Sequence, residues 1–286
     1  MAESSIVIVV NPERREALDE LVAELDGETV HVIEPDGLDE FEQALIAAAD
    51  SADIVAAIGG DGTHRTAAER LKGSDAALAP VPGGTVNLLA RVLGISSIAD
   101  AATAIRSGHR RTLDTGVADG ETFVLQSSTG YDAAVMQGVD DSAKRWGRLG
   151  YFFTGLRTLW SYRPHRVTVT VDGTDFYAGG AMTVMVTNVA ERGSVHFSVA
   201  PDSAPDDGRL DVVVQRCDSA TTMGRTIWAL WRGRDPRPDD LVVAHGRHIE
   251  VRWDVPTLAQ RDGDAIGRVV GVQYRVDPGS LTVCVP

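Results

Sequence analysis

Ile58-Gly-Gly-Asp-Gly-Thr63 is the stretch whose reading decides the fold. It follows directly on residues 54–58, an apolar run with the length and β-branching of a buried strand, and a helical pattern continues after it to about Leu71. Glycines without a Cβ let the backbone turn tightly and offer N–H groups to an anion. A helix N-terminus behind them adds its dipole. Upstream, residues 6–10 and 29–33 read as strands. Residues 12–25 place Ala17, Leu18, Leu21, Val22 and Leu25 at helical spacing, and residues 38–49 do the same with Leu38, Phe41, Leu45 and Ile46. Downstream come a strand at 76–80, a Pro-Gly-Gly turn, and helices at 85–93 and 97–106. Strands alternating with helices predict right-handed crossovers and a parallel, doubly wound α/β sheet. Ligands of such sheets bind at the carboxyl ends of the strands, where both glycine turns fall.

From about residue 112 the period changes. Residues 122–127, 166–171, 182–187, 210–215, 249–253, 273–276 and 281–285 read as strands. Asp-Gly pairs at 119–120, 172–173 and 262–263 are hairpin signals. Helical stretches at about 132–162 and 219–233 interrupt what is otherwise a mostly antiparallel, β-rich domain. A short connection near 114–118 is the expected boundary, giving a nucleotide-binding domain over 1–115 and a β-rich domain over 116–286. The C-terminal segment is a candidate to pack back on the first domain.

The second glycine stretch, Val81-Pro-Gly-Gly-Thr-Val-Asn-Leu-Leu-Ala-Arg91, also joins a strand to a helix. Either turn alone is explained by a tight corner and an N-cap, with Thr63 or Thr85 capping. Two at neighbouring strand ends read as a nucleotide cradle built from Gly59, Gly60, Gly62, Thr63, Gly83, Gly84, Thr85 and Asn87. Asp61 would repel a phosphate, so it implies a bridging Mg²⁺ or a sugar hydroxyl. His64 follows the turn, and a solvent-exposed place at the helix start is expected for it. His245 and His248 lack a third nearby ligand for a metal.

Composition narrows the partners. The 286-residue chain carries a net charge of −14, unevenly spread. Residues 1–143 hold 9 Lys and Arg against 25 Asp and Glu, a net of −16, while residues 144–286 hold 18 against 16. So acidic a front half argues against nucleic acid, which needs basic stripes. Cys217 and Cys284 show no metal spacing and fit a reducing cytoplasm. No signal-peptide pattern and no membrane-length apolar run is read.

The order of motifs resembles the diacylglycerol kinase and sphingosine kinase superfamily, in its soluble bacterial form. Gly-Gly-Asp-Gly-Thr precedes Pro-Gly-Gly-Thr-x-Asn-x-x-Ala-Arg, then Leu113-Asp-Thr-Gly116, Ser128-Thr-Gly-Tyr-Asp-Ala133 and Lys144-Arg-Trp-Gly-Arg-Leu-Gly-Tyr151. Ala200-Pro-Asp-Ser-Ala-Pro-Asp-Asp-Gly-Arg-Leu-Asp211 and Asp262-Gly-Asp264 complete the set. The resemblance implies ATP and Mg²⁺ as cofactors and a lipid hydroxyl, that of diacylglycerol, as phosphoryl acceptor. It implies that Asp61 holds the nucleotide and its Mg²⁺, and that Gly84, Thr85 and Asn87 contact ATP. Asp114 would help complete the metal region, and Asp206 and Asp207 would form an acidic loop that binds a structural Mg²⁺. Asp262 would be the catalytic base. The chain departs from the family at Asp264, where Glu is usual, at Leu88, where Asp is frequent, and at Thr66, where Glu is frequent. Asn11-Pro12 also lacks the Ser-Gly that often follows.

A lipid acceptor implies peripheral contact with a membrane surface. Residues 144–166 carry six Lys and Arg and no acid, interleaved with Trp146, Tyr151, Phe152, Phe153 and Trp160. Residues 225–237 repeat the theme with Trp228, Trp231 and four arginines. Such stretches either lie in the headgroup region or pack as core with a solvated basic face. A homodimer is open. Two alternatives stand beside the lipid kinase: an NAD kinase-like enzyme sharing the first turn, and a catalytically weak nucleotide- or lipid-binding regulator.

Overall fold

A computed structural model describes residues 5–138, 153–155, 157–159, 162–189, 204–217, 219–231 and 237–286. The chain forms two compact units, Met1–Thr115 with Pro278–Pro286, and Gly116–Asp277.

The first unit alternates β1 (Ile6–Val10), α1 (Glu16–Glu24), β2 (Val30–Ile33), α2 (Leu38–Ser51), β3 (Ile54–Gly59), α3 (Asp61–Leu71), β4 (Ala77–Pro82), α4 (Leu88–Val92) and α5 (Ile98–Ser107). Its strands run in the order β2-β1-β3-β4, all parallel, and the chain's last strand joins β4 in parallel through Val283 and Leu78. Every residue of β1 and β3 is buried. That is what helices on both faces of a parallel sheet demand, and it is why these strands read as unbroken apolar runs. α2 buries Phe41, Leu45 and Ala48 along one stripe. α5 opens on a Ser97–Asp100 capping box and stops at Gly108.

α3 corrects the expectation of an exposed His64. The side chain is 0 % exposed. Its spacing to Ala67, Ala68 and Leu71 sets it on the helix stripe that faces the sheet. Nε2 donates to the carbonyl of Val81 on β4 at 3.0 Å. Burial lowers the imidazole pKa, partly opposed by that carbonyl and by the charge of Asp61.

The second unit is antiparallel. β5 (Arg110–Ala118) leads into β6 (Glu121–Phe123), β7 (Gln126–Gly130), α6 (Tyr131–Gly138), β8 (His165–Val171), β9 (Thr174–Thr187), β10 (Leu210–Arg216), α7 (Ala220–Trp231), β11 (Leu241–Gly246), β12 (His248–Arg261) and β13 (Asp264–Cys284). The order is β11-β10-β9-β7-β12-β13. β7 and β8 share the space between the two long strands, since each pairs with both β9 and β12. One face buries Phe123, Val167, Val169, Val184, Val186, Val212, Ile249, Val251, Trp253 and Tyr274 in a single cluster. A second cluster sets Tyr131 and Val135 of α6 against Met182 and Cys217.

All three Asp-Gly pairs form hairpin turns, between β5 and β6, β8 and β9, and β12 and β13. Asp119, Asp172 and Asp262 have φ of 49°, 50° and 45°, and the glycines after them are positive as well. Two positive-φ residues are the signature of the turn whose twist matches a hairpin. Elsewhere the strand boundaries differ from expectation. Residues 114–118 are strand, not connection, and β11 was not anticipated. Residues 273–276 and 281–285 belong to one 21-residue strand. Residues 122–127 break into β6 and β7, because the N–H groups of Val124 and Leu125 go to the carboxylate of Asp262 and not to a neighbouring strand.

Of the two basic, aromatic stretches, residues 144–152, 156, 160–161 and 232–236 lie outside the described residues. Within the rest, Leu159 is buried, while Phe153 and Trp228 are 59 % and 51 % exposed.

Two stability outcomes follow. Phe123 is fully buried and meets Tyr274 edge-on at 6.1 Å. Phe123→Ala is expected to cost about 3–5 kcal/mol, read as a lower urea midpoint at unchanged slope. His64 is neutral in both states above its unfolded pKa of about 6.5, so it adds no pH dependence there. Below that value the unfolded chain takes up a proton that the folded protein resists, and stability falls as pH falls. His64→Gln is expected to flatten this loss between about pH 6.5 and 5, measured by denaturant titration at each pH.

Candidate active site

The two glycine turns meet backbone to backbone at the ends of β3 and β4. Gly83 N donates to Gly59 O at 2.7 Å. A Cβ on Gly84 would stand 2.6 Å from the Cα of Gly60, and one on Gly83 would stand 3.3 Å from the Cα of Gly59. Residues with side chains cannot approach so closely, so the glycines are required by the contact itself.

Asp61 ties the turns together. Its carboxylate accepts the N–H of Asn87 at 3.2 Å and that of Leu88. The negative charge thus sits at the start of α4, matched to free backbone donors. Asn87, in the left-handed region at φ 52°, closes its own loop: Oδ1 accepts from Gly84 N and Nδ2 donates to Gly84 O. The sequence reading had Thr85 and Asn87 inside a helix. Here Asn87 is the N-cap just before α4, and Thr85 is exposed ahead of it.

α3 starts at Asp61 with Gly60 as N-cap and no capping side chain. Thr63 therefore does not cap. It lies under Gly59, and its Oγ1 accepts from Asn11 Nδ2 at 2.7 Å. Asn11, at the end of β1, is a residue whose contribution the motif reading missed; the signal was Asn11-Pro12 closing the first apolar run. Because the N–H groups that open a helix have no intrahelical partner, this uncapped N-terminus among bare glycines suits a phosphate.

The remaining residues are more scattered. Asp114 is 3 % exposed and accepts Gly279 N at 2.7 Å, inside the first unit. Asp206 and Asp207 are exposed in the second unit, and Asp207 Oδ1 accepts Arg209 N in a local turn. Among the described residues no three His, Cys, Asp or Glu side chains gather as a metal cage. Mg²⁺ does not need one, since it usually binds through one or two carboxylates and the substrate's own phosphates. The residues at the glycine turns fit ATP on that basis, and Asp61, with lone pairs beyond its two backbone bonds, fits a magnesium ligand.

In the second unit, the carboxylate of Asp262 accepts three N–H groups, from Val124 at 2.8 Å, Leu125 at 3.0 Å and Gln126 at 2.9 Å. Asp119 and Asp172, at the sibling turns, also receive backbone donors, from Gln273 and from Arg247 and His248. Asp264 is exposed.

Known proteins resemble both halves. Residues 6–118 match the diacylglycerol kinase catalytic domain, and residues 126–285 match the YegS C-terminal NAD kinase beta sandwich-like domain. A Pseudomonas aeruginosa protein named "Probable lipid kinase YegS-like" is 31% identical over 86% of this chain and 80% of its own length. A Mycobacterium tuberculosis diacylglycerol kinase is 26% identical over 78% of this chain and 74% of its own. Among solved structures, a Bacillus anthracis str. Sterne protein provisionally described as a diacylglycerol kinase has a TM-score of 0.80 at 22% identity, covering 99% of this chain and 95% of that one. An NAD kinase from Archaeoglobus fulgidus in complex with ATP has a TM-score of 0.57 at 12% identity, covering 98% and 93%. With both domain matches in order along its length, the chain belongs to the diacylglycerol kinase family, in its two-domain YegS-like form.

Proposed function

We propose that this protein is an ATP-dependent lipid kinase that transfers the γ-phosphoryl group of ATP to a lipid hydroxyl, with diacylglycerol as acceptor and phosphatidic acid as product. The observation that carries the reading is the contact of Gly60 with Gly84, which holds two strand-end turns together as bare backbone beside an uncapped helix. The names of the relatives support the lipid as acceptor.

In this reading Gly59, Gly60, Gly62, Gly83 and Gly84 present backbone to the triphosphate, with Thr63, Thr85 and Asn87 shaping the turns. Mg²⁺, held by Asp61, would neutralise phosphate charge during transfer. The protein's share of phosphoryl transfer is mainly positioning and charge stabilisation. Asp61 contributes to both by fixing the second turn through Asn87 and Leu88. Asp114 and the pair Asp206 and Asp207 enter as further metal positions, and Asp262 as the base that takes the proton from the lipid hydroxyl. Exposed Phe153 and Trp228 support contact with a membrane surface. No described helix is long and apolar enough to cross one.

The test is incubation with γ-labelled ATP and Mg²⁺, against total lipid in one tube and NAD in another. Label in a lipid that co-migrates with phosphatidic acid is expected. Label in NADP would replace this reading with the NAD kinase, and bound nucleotide without transfer would replace it with the weak regulator.

Two substitutions probe the cradle. Gly84→Ala forces the turns apart and is expected to abolish ATP binding in calorimetry while the circular dichroism stays native. Asp61→Ala strands the two N–H groups at α4 and removes a charged partner, so ATP affinity should fall by roughly 10- to 100-fold. Retention of wild-type affinity by both variants would place the nucleotide elsewhere.

A further inference from the structure

Gln260 stands two residues before Asp262 on β12, and its side chain is 0 % exposed. A buried amide needs partners for both its oxygen and its nitrogen. Gln260 Nε2 donates to Ser128 Oγ at 2.8 Å and to Asp132 Oδ2 at 3.2 Å. Its Oε1 accepts the N–H of Gly263 at 2.9 Å. Ser128 Oγ in turn donates to Asp132 Oδ2 at 2.5 Å. One side chain thus joins the glycine of the β12–β13 turn to β7 and to the first turn of α6.

Asp132 sets the direction of these bonds. An ionised carboxylate can only accept, so the Ser128 hydroxyl and the nitrogen end of the Gln260 amide must face it. The oxygen end is then turned to Gly263. Burial raises the pKa of Asp132, and the Ser128 and Gln260 hydrogen bonds counter it by favouring the charged form. The main chain of Gln260 is held as well, its carbonyl accepting from Ser127 Oγ at 2.9 Å. α6 backs the same region at two further points. Gln137 Nε2 donates to Ala259 O at 3.2 Å, and the Met136 methyl lies 3.5 Å from where a Cβ of Gly263 would stand.

The sibling turns are built without such an amide, since Val117 and Thr170 stand two residues before Asp119 and Asp172. Only the aspartate of the β12–β13 turn has a proton to take in the lipid kinase reading. Its carboxylate receives the N–H groups of Val124, Leu125 and Gln126, so it cannot swing independently of the turn. The peptide plane before Asp262 is pinned by its own N–H, which donates to Gln126 O at 2.8 Å. The plane after it is pinned by Gly263 N–H on Gln260 Oε1. Together they fix an aspartate at φ 45°, a conformation that a residue with a Cβ does not prefer, next to a glycine that would otherwise allow many.

We propose that Gln260 is a positioning residue for phosphoryl transfer, pinning the peptide plane after Asp262 and so aiming the carboxylate that takes the acceptor proton. The proposal rests on the lipid kinase reading with Asp262 as its base. A base must lie within hydrogen-bond reach of the proton it takes, and a displacement of about 1 Å can cost about 100-fold in rate. Loss of the amide therefore belongs in kcat and not in the binding of ATP.

The experiment uses the full chain and measures kcat, KM for Mg-ATP and KM for diacylglycerol in mixed micelles, with the thermal midpoint of each variant. Asp262→Asn serves as the control for the base and should be inactive. Gln260→Leu keeps similar bulk and removes the amide, so kcat should fall about 10- to 100-fold with KM for Mg-ATP nearly unchanged. A purely structural amide would instead lower the thermal midpoint and leave the kcat of the folded enzyme alone. Gln260→Glu keeps an oxygen for Gly263 but sets a second carboxylate against Asp132, so kcat should fall here too. Adding Asp132→Asn to it exchanges the places of amide and carboxylate, and kcat should recover about 10-fold or more.

A wild type that transfers no phosphate to lipid overturns the function and this proposal with it. An Asp262→Asn variant that keeps its rate overturns the base and this proposal together. An active wild type with inactive Asp262→Asn, but with Gln260→Leu within about threefold in kcat, overturns the role of Gln260 alone. Should Gln260→Leu not fold, the exchange decides: recovery in the double variant upholds the role, and a double variant no faster than Gln260→Glu overturns it.

Discussion

Between the Cα of Gly60 and the place where a Cβ of Gly84 would stand there are 2.6 Å, less than any real side chain tolerates. This contact between two loops distant in sequence organises the first unit's functional end. It lets Gly83 continue the β3–β4 pairing into the turn. It also brings Asp61 within reach of the amides that open α4. The conformation of Asn87, the start of α4 and the uncapped start of α3 all follow from the two backbones being pressed together. An added methyl group would act on all of them at once.

Five of the chain's aspartates are used in the same way. Asp61, Asp114, Asp119, Asp172 and Asp262 each turn a carboxylate toward backbone N–H groups of another segment. Such charge-assisted bonds are shorter and stronger than those between neutral groups, and they satisfy donors that a turn or helix start leaves open. The aspartates of this chain therefore cannot be sorted into catalytic and structural by motif alone.

The second unit reaches its architecture through length. β9 and β12 each have 14 residues, enough to pair with β7 over one part and β8 over another. Register shifts within β12 and within the β8–β9 pair allow this bending. The outcome is a continuous core around Trp253 and Tyr274 and a separate, smaller cluster under α6. The Ser128–Asp132–Gln260 network lies on the α6 side, where β7 and β12 run next to each other.

The sequence by itself determined what depends on neighbours along the chain. Buried parallel strands are apolar throughout, so residues 6–10 and 54–58 could be placed almost to the residue. The three Asp-Gly hairpins were equally legible, because positive φ at two successive residues admits few others. His64 was expected at the surface and is buried, although its spacing to Ala67 and Leu71 is that of a buried stripe. β5, Arg110–Ala118, was not legible, because its first residues are polar and exposed and its apolar character appears only where it enters the core. Pro278 and Gly279 looked like a strand end, yet β13 runs through them. Which backbone amides each aspartate receives was decided only by the tertiary structure, because no local pattern encodes a contact between residues 124 and 262.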